Sequence, residues 1–240
     1  MRKPILAITG DTHGEERRFI YPEEPANKCL KEGDYLFICG DFGYIFKNSY
    51  REREFLNYLA GLPYTICFVD GNHEKFDIIN AHEVSNWKGG KVHMIKCDKK
   101  GNPKIIHLIR GQIYEIEEKK IFTVGGGYSI DKALRKEGYS WWPQEMPTEE
   151  EKEEALNNLE AVNWKVDYII TRTAPEDTMS LFHPNHIHEM QLNNFLEYVR
   201  EKTTYSHWFI GHLHRDEDVW RHQSILWFLL RNMEDNSIME

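Results

Sequence analysis

Four short apolar segments in this chain each stop beside a glycine that is followed at once by aspartate, asparagine or histidine. The segments are rich in β-branched and aromatic residues, which predicts β-strands. Ligands bind beyond the carboxyl ends of strands in open α/β sheets, so side chains distant in sequence can meet there. This pattern favours a fold that brings the four strand ends together. The strand ends read Gly10-Asp11-Thr12-His13, Gly40-Asp41-Phe42-Gly43, Asp70-Gly71-Asn72-His73-Glu74 and Gly211-His212-Leu213-His214.

The rest of the sequence alternates strand and helix patterns. Thr148 and Glu151 form a capping box, which predicts the start of a helix. Because no repeat or low-complexity linker divides the 240 residues, we expect one α/β domain over residues 1–240, with two packed sheets and outer helices. Strands are predicted at residues 4–9, 35–39, 64–69, 166–171, 206–210 and 225–230 and between 91 and 124, and helices at 50–62, 148–164 and 187–202.

Charge and apolar content narrow the classes of partner. The chain has 30 Lys and Arg against 39 Asp and Glu, a formal net charge of −9, which argues against strong affinity for nucleic acid or an anionic membrane surface. No apolar run approaches the roughly 20 residues of a membrane span. The four cysteines lack framework spacing, and Cys39 and Cys67 fall in apolar strand patterns. We therefore expect reduced thiols and a cytoplasmic location.

Each strand-end motif is weak by itself. An aspartate after a strand is often only a turn former or a helix cap, and His73 could cap a helix that begins near Glu74. Together, however, two aspartates, one asparagine and four histidines follow the glycines at these strand ends. Mixed oxygen and nitrogen ligands of this kind suit divalent Mn, Fe, Co, Ni or Zn. The combination favours a metal site over a set of unrelated turns.

The order of these motifs resembles that of the calcineurin-like metallophosphoesterases, and the resemblance covers nearly the whole chain. It implies a sandwich of two mixed β-sheets flanked by helices, with a dinuclear metal centre at the strand ends. Asp41 would bridge the two ions. The implied ligands are Asp11, His13, Asp41 and His214 for the first metal and Asp41, Asn72 and His212 for the second.

The resemblance also implies the reaction, hydrolysis of a small phosphate mono- or diester. A metal-bound hydroxide would attack phosphorus, and His73 would act as the general acid that protonates the departing alkoxide. The implied cofactor is one or two divalent ions, with Mn expected first and Fe, Ni, Co or Zn as alternatives.

A second stretch, residues 125–145 (GGGYSIDKALRKEGYSWWPQE), resembles a segment of small bacterial members of the family. The triple glycine does not fit a nucleotide-binding GxGxxG pattern, so a tight turn is expected there. Trp141 and Trp142 are expected to pack in the protein interior. Beside Lys132 and Arg135, the candidate substrate-binding residues, they are also candidates for one wall of a cleft.

Two positions depart from the family pattern. Tyr44 stands where many members have an aspartate that orients the catalytic histidine. Arg172 stands where a histidine usually ligates the second metal, and an arginine cannot ligate a cation, because its guanidinium offers donors only.

Arg172 leaves three outcomes open. The protein works with one tight metal while Arg172 grips the phosphate, or Arg172 turns outward and another ligand or water completes a weaker second site. In the third outcome the site is degenerate and the protein is a binding module, a pseudo-phosphatase. His73 favours the enzyme, since a scaffold needs no general acid. Candidate replacement ligands are His183, His186 and His188, although an exposed helix start is the expected role of that segment.

Overall fold

The structure, a computed structural model, describes residues 2–184 and 187–240. No helix in this part of the chain is long and apolar enough to cross a membrane. The strands are β1 Leu6–Thr9, β2 Tyr35–Ile38, β3 Thr65–Phe68, β4 Val84–Trp87, β5 Gly90–Cys97, β6 Pro103–Leu108, β7 Gln112–Ile116, β8 Lys119–Val124, β9 Tyr168–Thr171, β10 His207–Ile210, β11 Glu217–Val219, β12 Gln223–Ile225 and β13 Arg231–Asn232. The α-helices are α1 Arg17–Ile20, α2 Pro25–Cys29, α3 Tyr50–Ala60, α4 Phe76–Ile79, α5 Glu149–Ala161, α6 Glu176–Phe182 and α7 Met190–Lys202.

These strands form two mixed sheets. The first has seven strands in the order β13-β1-β2-β3-β6-β5-β4, and the second has six in the order β11-β12-β10-β9-β8-β7. Strands β1, β2, β3 and β6 run parallel in the first sheet, as do β8, β9, β10 and β12 in the second. The carboxyl ends of β1, β2 and β3 therefore lie side by side, and so do those of β9 and β10.

Alternation of apolar side chains along the strands builds three hydrophobic layers. One face of each sheet meets in the middle, where Ile8 and Phe37 of the first sheet share a cluster with Ile170 and Phe209 of the second. The opposite faces are covered by helices, α3 on the first sheet and α5 with α7 on the second. Successive strand residues point to opposite faces, so each strand contributes to two layers. The predicted fold class, two packed mixed sheets flanked by helices, is confirmed.

Sequence patterns located most elements to within a few residues, and the capping box of Thr148 and Glu151 is present. The predicted strand at residues 225–230 is wrong, because β12 ends at Ile225. Beyond it the backbone N–H groups of Trp227 and Leu229 donate to the Asp216 carboxylate instead of to a strand. The last long helix begins at Met190 rather than at residue 187.

A buried network of hydrogen-bonded side chains lies beneath the loop that follows β3. His93 and His107 are paired across β5 and β6, and their Nδ1 atoms lie 3.0 Å apart. His107 Nε2 lies 3.1 Å from Asp70 Oδ1, and Arg110 Nε donates to Asp70 Oδ2 at 2.9 Å. The Asp70 carboxylate at Nε2 makes His107 a donor at that nitrogen, and a second hydrogen bond joins the Nδ1 atoms of His107 and His93.

This buried hydrogen-bonded network predicts that the folded protein loses stability in acid. Burial and the neighbouring His107 lower the pKa of His93 to about 4, whereas an unfolded histidine titrates near 6.5. The unfolded state therefore binds the extra proton first, and the free energy of unfolding falls as pH drops from about 6.5 towards 4. His93→Asn places an amide near the Nδ1 position. In urea denaturation, its free energy of unfolding should fall by roughly 1–2 kcal/mol less than that of the unmodified protein between pH 7.5 and pH 5. Exposed His222→Asn is the matched control, and equal pH dependence in both variants would contradict the assignment.

Candidate active site

The loops after the strand ends are held in unusual backbone conformations and bonded to one another. Four of the six predicted metal ligands have positive φ: His13 (48°), Asp41 (45°), His212 (67°) and His214 (48°). Side chains other than glycine rarely adopt this region, and such strain concentrates at functional sites. The His13 N–H donates to the Asp41 carbonyl at 2.8 Å, and the His212 N–H donates to Asp11 Oδ1 at 3.1 Å. Loops from both sheets therefore form one unit.

Three of the predicted first-metal ligands converge through their donor atoms. Asp11 Oδ2 lies 3.2 Å from His214 Nε2 and 3.7 Å from His13 Nε2, and the two Nε2 atoms are 2.9 Å apart. All three atoms lie within 4.8 Å of one another, close enough to hold one ion. Asp11 Oδ2 is buried and makes no well-aligned hydrogen bond among the described residues, although Arg172 Nη1 lies 3.1 Å from it. A buried carboxylate oxygen aimed at two imidazole nitrogens fits a divalent metal.

Asp41 lies on the other side of His13. Its Oδ2 is 3.7 Å from His13 Nδ1, and its Oδ1 accepts the His73 N–H at 3.0 Å. Donor atoms of His13, Asp41 and His73 form a second group that is close enough to hold an ion. The geometry therefore gives His73 two possible roles, as a ligand or as a free imidazole beside the ligands.

Arg172 points into the site and is only 2% exposed. Its Nη2 pairs with Asp41 Oδ2 and donates to Asn72 Oδ1 at 3.1 Å, while Nη1 lies 3.1 Å from Asp11 Oδ2. Burial raises the pKa of Asp11, but the Arg172 guanidinium together with hydrogen bonds from His214 and the His212 N–H outweighs burial and lowers that pKa to about 2. Burial also acts against the charge of Arg172, yet Asp11 and Asp41 raise its pKa. One cation is thus balanced by two buried carboxylates.

Two glycines make the slot for this arginine. A Cβ on Gly40, whose φ is +95°, would overlap Arg172 Cδ, and a Cβ on Gly71 would lie 2.7 Å from Arg172 Nε. Only glycine leaves room for the side chain at this approach. The inward orientation of Arg172 is therefore built into the backbone of the loops after β2 and β3.

The predicted second-metal ligands do not fit a second ion in this arrangement. The Arg172 guanidinium uses the oxygen atoms of Asp41 and Asn72 that an ion would need. His212, the third of the set, has its Nε2 3.5 Å from Glu189 Oε2. Burial and the positive charge of Arg172 lower the pKa of His212. A positive side chain takes the position between the ligands, so the outward-facing outcome for Arg172 is not the one observed.

Comparison with known families is consistent with this geometry. A family model described as calcineurin-like phosphoesterase matches residues 5–216. The chain belongs to the calcineurin-like phosphoesterase family. Members are generally divalent-metal-dependent hydrolases of phosphate esters. A search of curated proteins gave no match.

His73, the predicted general acid, lies half-buried between aromatic side chains. Its ring packs edge-on against His13 with centroids 5.0 Å apart and against Phe46 at 6.4 Å. Tyr44, predicted to stand where other family members have an orienting aspartate, is buried in the core, and its hydroxyl donates to the Glu15 carbonyl at 2.8 Å. No hydrogen bond from the described residues reaches a ring nitrogen of His73. Packing and the backbone bond to Asp41 position this histidine. Burial lowers its pKa, and Asp41 opposes the effect.

Glu189 is a site residue that the sequence reading missed. It is buried, and its carboxylate accepts the Tyr128 N–H and the Thr173 hydroxyl, each at 2.7 Å. Its Oε2 is also close to His212. Of the three histidines considered as replacement ligands, His183 and His188 line the adjacent cavity, and His186 lies outside the described residues. The sequence feature that could have identified Glu189 is its position, as an acidic residue at the end of the histidine-rich segment after β9.

The candidate substrate-binding residues divide between two environments. Arg135 lines a cavity of about 660 Å³ beside the candidate ligands. Lys132 instead lies over the ring of Trp141, with Nζ 3.9 Å from the centroid, and is not part of the cavity wall. Trp142 is buried and donates to Asp77 Oδ2 at 3.1 Å. Trp142 therefore packs in the protein interior, Trp141 is half-buried beneath Lys132, and the cavity wall is formed by other residues.

Proposed function

We propose that this protein hydrolyses a phosphate mono- or diester with one tightly held divalent ion and with Arg172 in the place of a second ion. The ion would be held by Asp11, His13, Asp41 and His214, and Mn²⁺ is the first metal to test. When bound, it supplies positive charge for the phosphoryl oxygens and lowers the pKa of water. The observation that carries the proposal is the buried guanidinium of Arg172 between the metal ligands and the cavity.

Arg172 retains donors for a substrate. Its Nε is buried and has no hydrogen-bond acceptor in the described part of the chain, and its Nη1 is paired with Asp11 Oδ2 at 3.1 Å without forming a well-aligned hydrogen bond. A guanidinium binds phosphoryl oxygens with paired, charge-assisted hydrogen bonds. Because its charge is fixed in place by Asp11 and Asp41, it needs no reorganisation when charge develops on the phosphoryl group.

His73 supplies the proton in this proposal. It shares the cavity with Arg172, so a leaving oxygen held there can reach its imidazole. Protonation matters most for alkoxides, which are poor leaving groups. Asp41 accepts the His73 backbone N–H and also pairs with Arg172. It therefore fixes the position of the general acid relative to the phosphate-binding group.

A binding module without turnover is the second candidate function. It is favoured by the ion pairs themselves, because Asp41 and Asn72 are committed to Arg172. In both candidates we propose a cytoplasmic protein, which is supported by the unpaired cysteines, two of them buried.

Hydrolysis of 4-nitrophenyl and bis(4-nitrophenyl) phosphate by metal-stripped protein separates the two candidates. Returning Mn²⁺ should raise the rate by roughly tenfold or more, and His214→Ala should weaken that response because it removes one ligand. Exposed His222→Ala is the matched control. Full activity in protein shown to contain no metal would exclude the proposed role of the ion. Absence of turnover with every divalent metal, in protein that binds phosphate, would favour the binding module.

A further inference from the structure

The cavity beside the candidate ligands is much larger than a phosphate. Its volume is about 660 Å³, whereas a phosphoryl group needs on the order of 100 Å³ if each heavy atom takes slightly less than a liquid water molecule. Most of the cavity therefore faces the part of a substrate that is attached to phosphorus through oxygen.

That remaining part has an apolar side, which we call the apolar wall: Tyr128, Ile130, Met179, Phe182 and Leu213. These residues come from the loop after β8, from α6 and from the loop after β10. Of the charged residues that line the cavity, Asp131 and Arg135 come from the same loop as Ile130 and pair with each other at 2.7 Å. Arg135 also donates to the Ser140 carbonyl at 3.2 Å. The wall therefore carries little net charge.

The aromatic part of the wall is fixed before any ligand binds. Glu189 accepts the Tyr128 N–H at 2.7 Å. The Tyr128 ring stacks on His188 with centroids 5.1 Å apart and planes 12° from parallel, and Lys132 Nζ lies 5.7 Å from the Tyr128 centroid. A surface held in this way loses little conformational freedom on binding.

The apolar wall is exposed to solvent at Ile130. Its side chain is 88% exposed although it borders the cavity, so a ligand in the cavity would remove apolar surface from water. Pockets that combine apolar walls with a few polar groups at one end are typical of small-molecule sites. Here the polar end is the group of candidate metal ligands with Arg172 and His73.

We propose that the apolar wall binds the alcohol part of the substrate and selects phosphate esters of aromatic or other flat apolar alcohols over those of glycerol or sugars. This inference rests on the proposed function. Hydroxyls of a polyol would lose water against the wall without gaining partners, whereas an aromatic ring gains by burial. In the monoester reaction the water oxygen bonds to phosphorus and releases a proton, the bond from phosphorus to the alcohol oxygen breaks, and that oxygen takes the proton of His73; the proton released by the water restores His73, giving alcohol and orthophosphate.

Benzyl phosphate and methyl phosphate test the selection, because they release alcohols of similar acidity and differ mainly in apolar surface. With the Mn²⁺-loaded protein, kcat/KM should be about tenfold or more higher for benzyl phosphate. Ile130→Asn should reduce that ratio roughly threefold or more by raising KM for the benzyl ester. Leu134→Asn is the matched control, because Leu134 is 91% exposed on the neighbouring turn, lies outside the cavity lining and should leave the ratio unchanged.

Binding of benzylphosphonate and methylphosphonate, measured by calorimetry, tests the wall without turnover. Tighter binding of benzylphosphonate that Ile130→Asn weakens supports the wall, even if no ester is hydrolysed, in which case only the proposed function fails. Turnover with equal kcat/KM for the two esters, together with equal affinity for the two phosphonates, would overturn the inference and leave the proposed function intact. A preference for the benzyl ligand that survives Ile130→Asn would also overturn the assignment to this wall.

Discussion

Replacing Arg172 by histidine is expected to raise tightly bound divalent metal from about one ion per chain to about two. The guanidinium lies between Asp41 and Asn72, where its charge repels an ion and its donors use the ligand oxygens. A histidine removes this charge and offers an imidazole in its place. Elemental analysis after dialysis measures the change, and turnover of phosphate esters should rise with it.

Arg172→Ala separates charge balance from phosphate binding. It leaves the buried carboxylates of Asp11 and Asp41 without their cation, which should cost the metal-free protein about 3–5 kcal/mol of unfolding free energy. Saturating Mn²⁺ should restore a large part of that loss, because the ion binds the folded state. A raised KM for phosphate esters would show that the guanidinium also binds substrate.

Arg200→Ala is the matched control for this experiment. Arg200 is a buried arginine that pairs with Asp177 and Glu197, away from the candidate ligands. Its loss should destabilise the protein without a response to Mn²⁺. Two tight ions in the unmodified protein, unchanged by Arg172→His, would contradict our account, and Glu189 would then be the first described residue to test as the missing ligand.

Replacing His73 by asparagine should lower kcat for alkyl phosphate esters by on the order of 10²-fold or more. Nitrophenyl esters should lose much less, because their leaving groups need no proton. Steady-state rates for a pair of esters, alkyl and nitrophenyl, give the comparison in a single variant. Metal content serves as the control, and it should stay at the level of the unmodified protein.

Two results would remove His73 from the role of acid. Equal losses for both leaving groups would show that it does not donate the proton. A loss of bound metal would instead identify it as a ligand, together with His13 and Asp41, whose donor atoms lie within reach of its own.

The strand-end pattern predicted the fold class and the assembly of the site. Strands that carry Asp11, Asp41 and Asn72 just beyond their last residues are parallel neighbours, so their loops had to meet at one edge. This information is local in sequence, because each motif depends only on where one strand ends. The family resemblance then ordered these residues as candidate ligands.

The direction of Arg172 could not be read from its neighbours in sequence. Arginine has a long side chain that points towards solvent or into the protein according to the residues around it. The residues around Arg172 belong to three other loops. Gly40 and Gly71 open the slot, and Asp11 and Asp41 offset the cost of burying the charge. Only the assembled sheets bring these four residues together.

The sequence by itself determined which residues follow the strand ends, that Arg172 cannot be a metal ligand, and that the chain forms an α/β fold. The tertiary structure decided which charged side chains lie next to one another and which residues surround them. His93 lies opposite His107 because of the register between β5 and β6, and Glu189 reaches Tyr128 and Thr173 because of where α7 begins. Such contacts depend on strand register and on the packing of distant segments, which no local pattern of residues specifies.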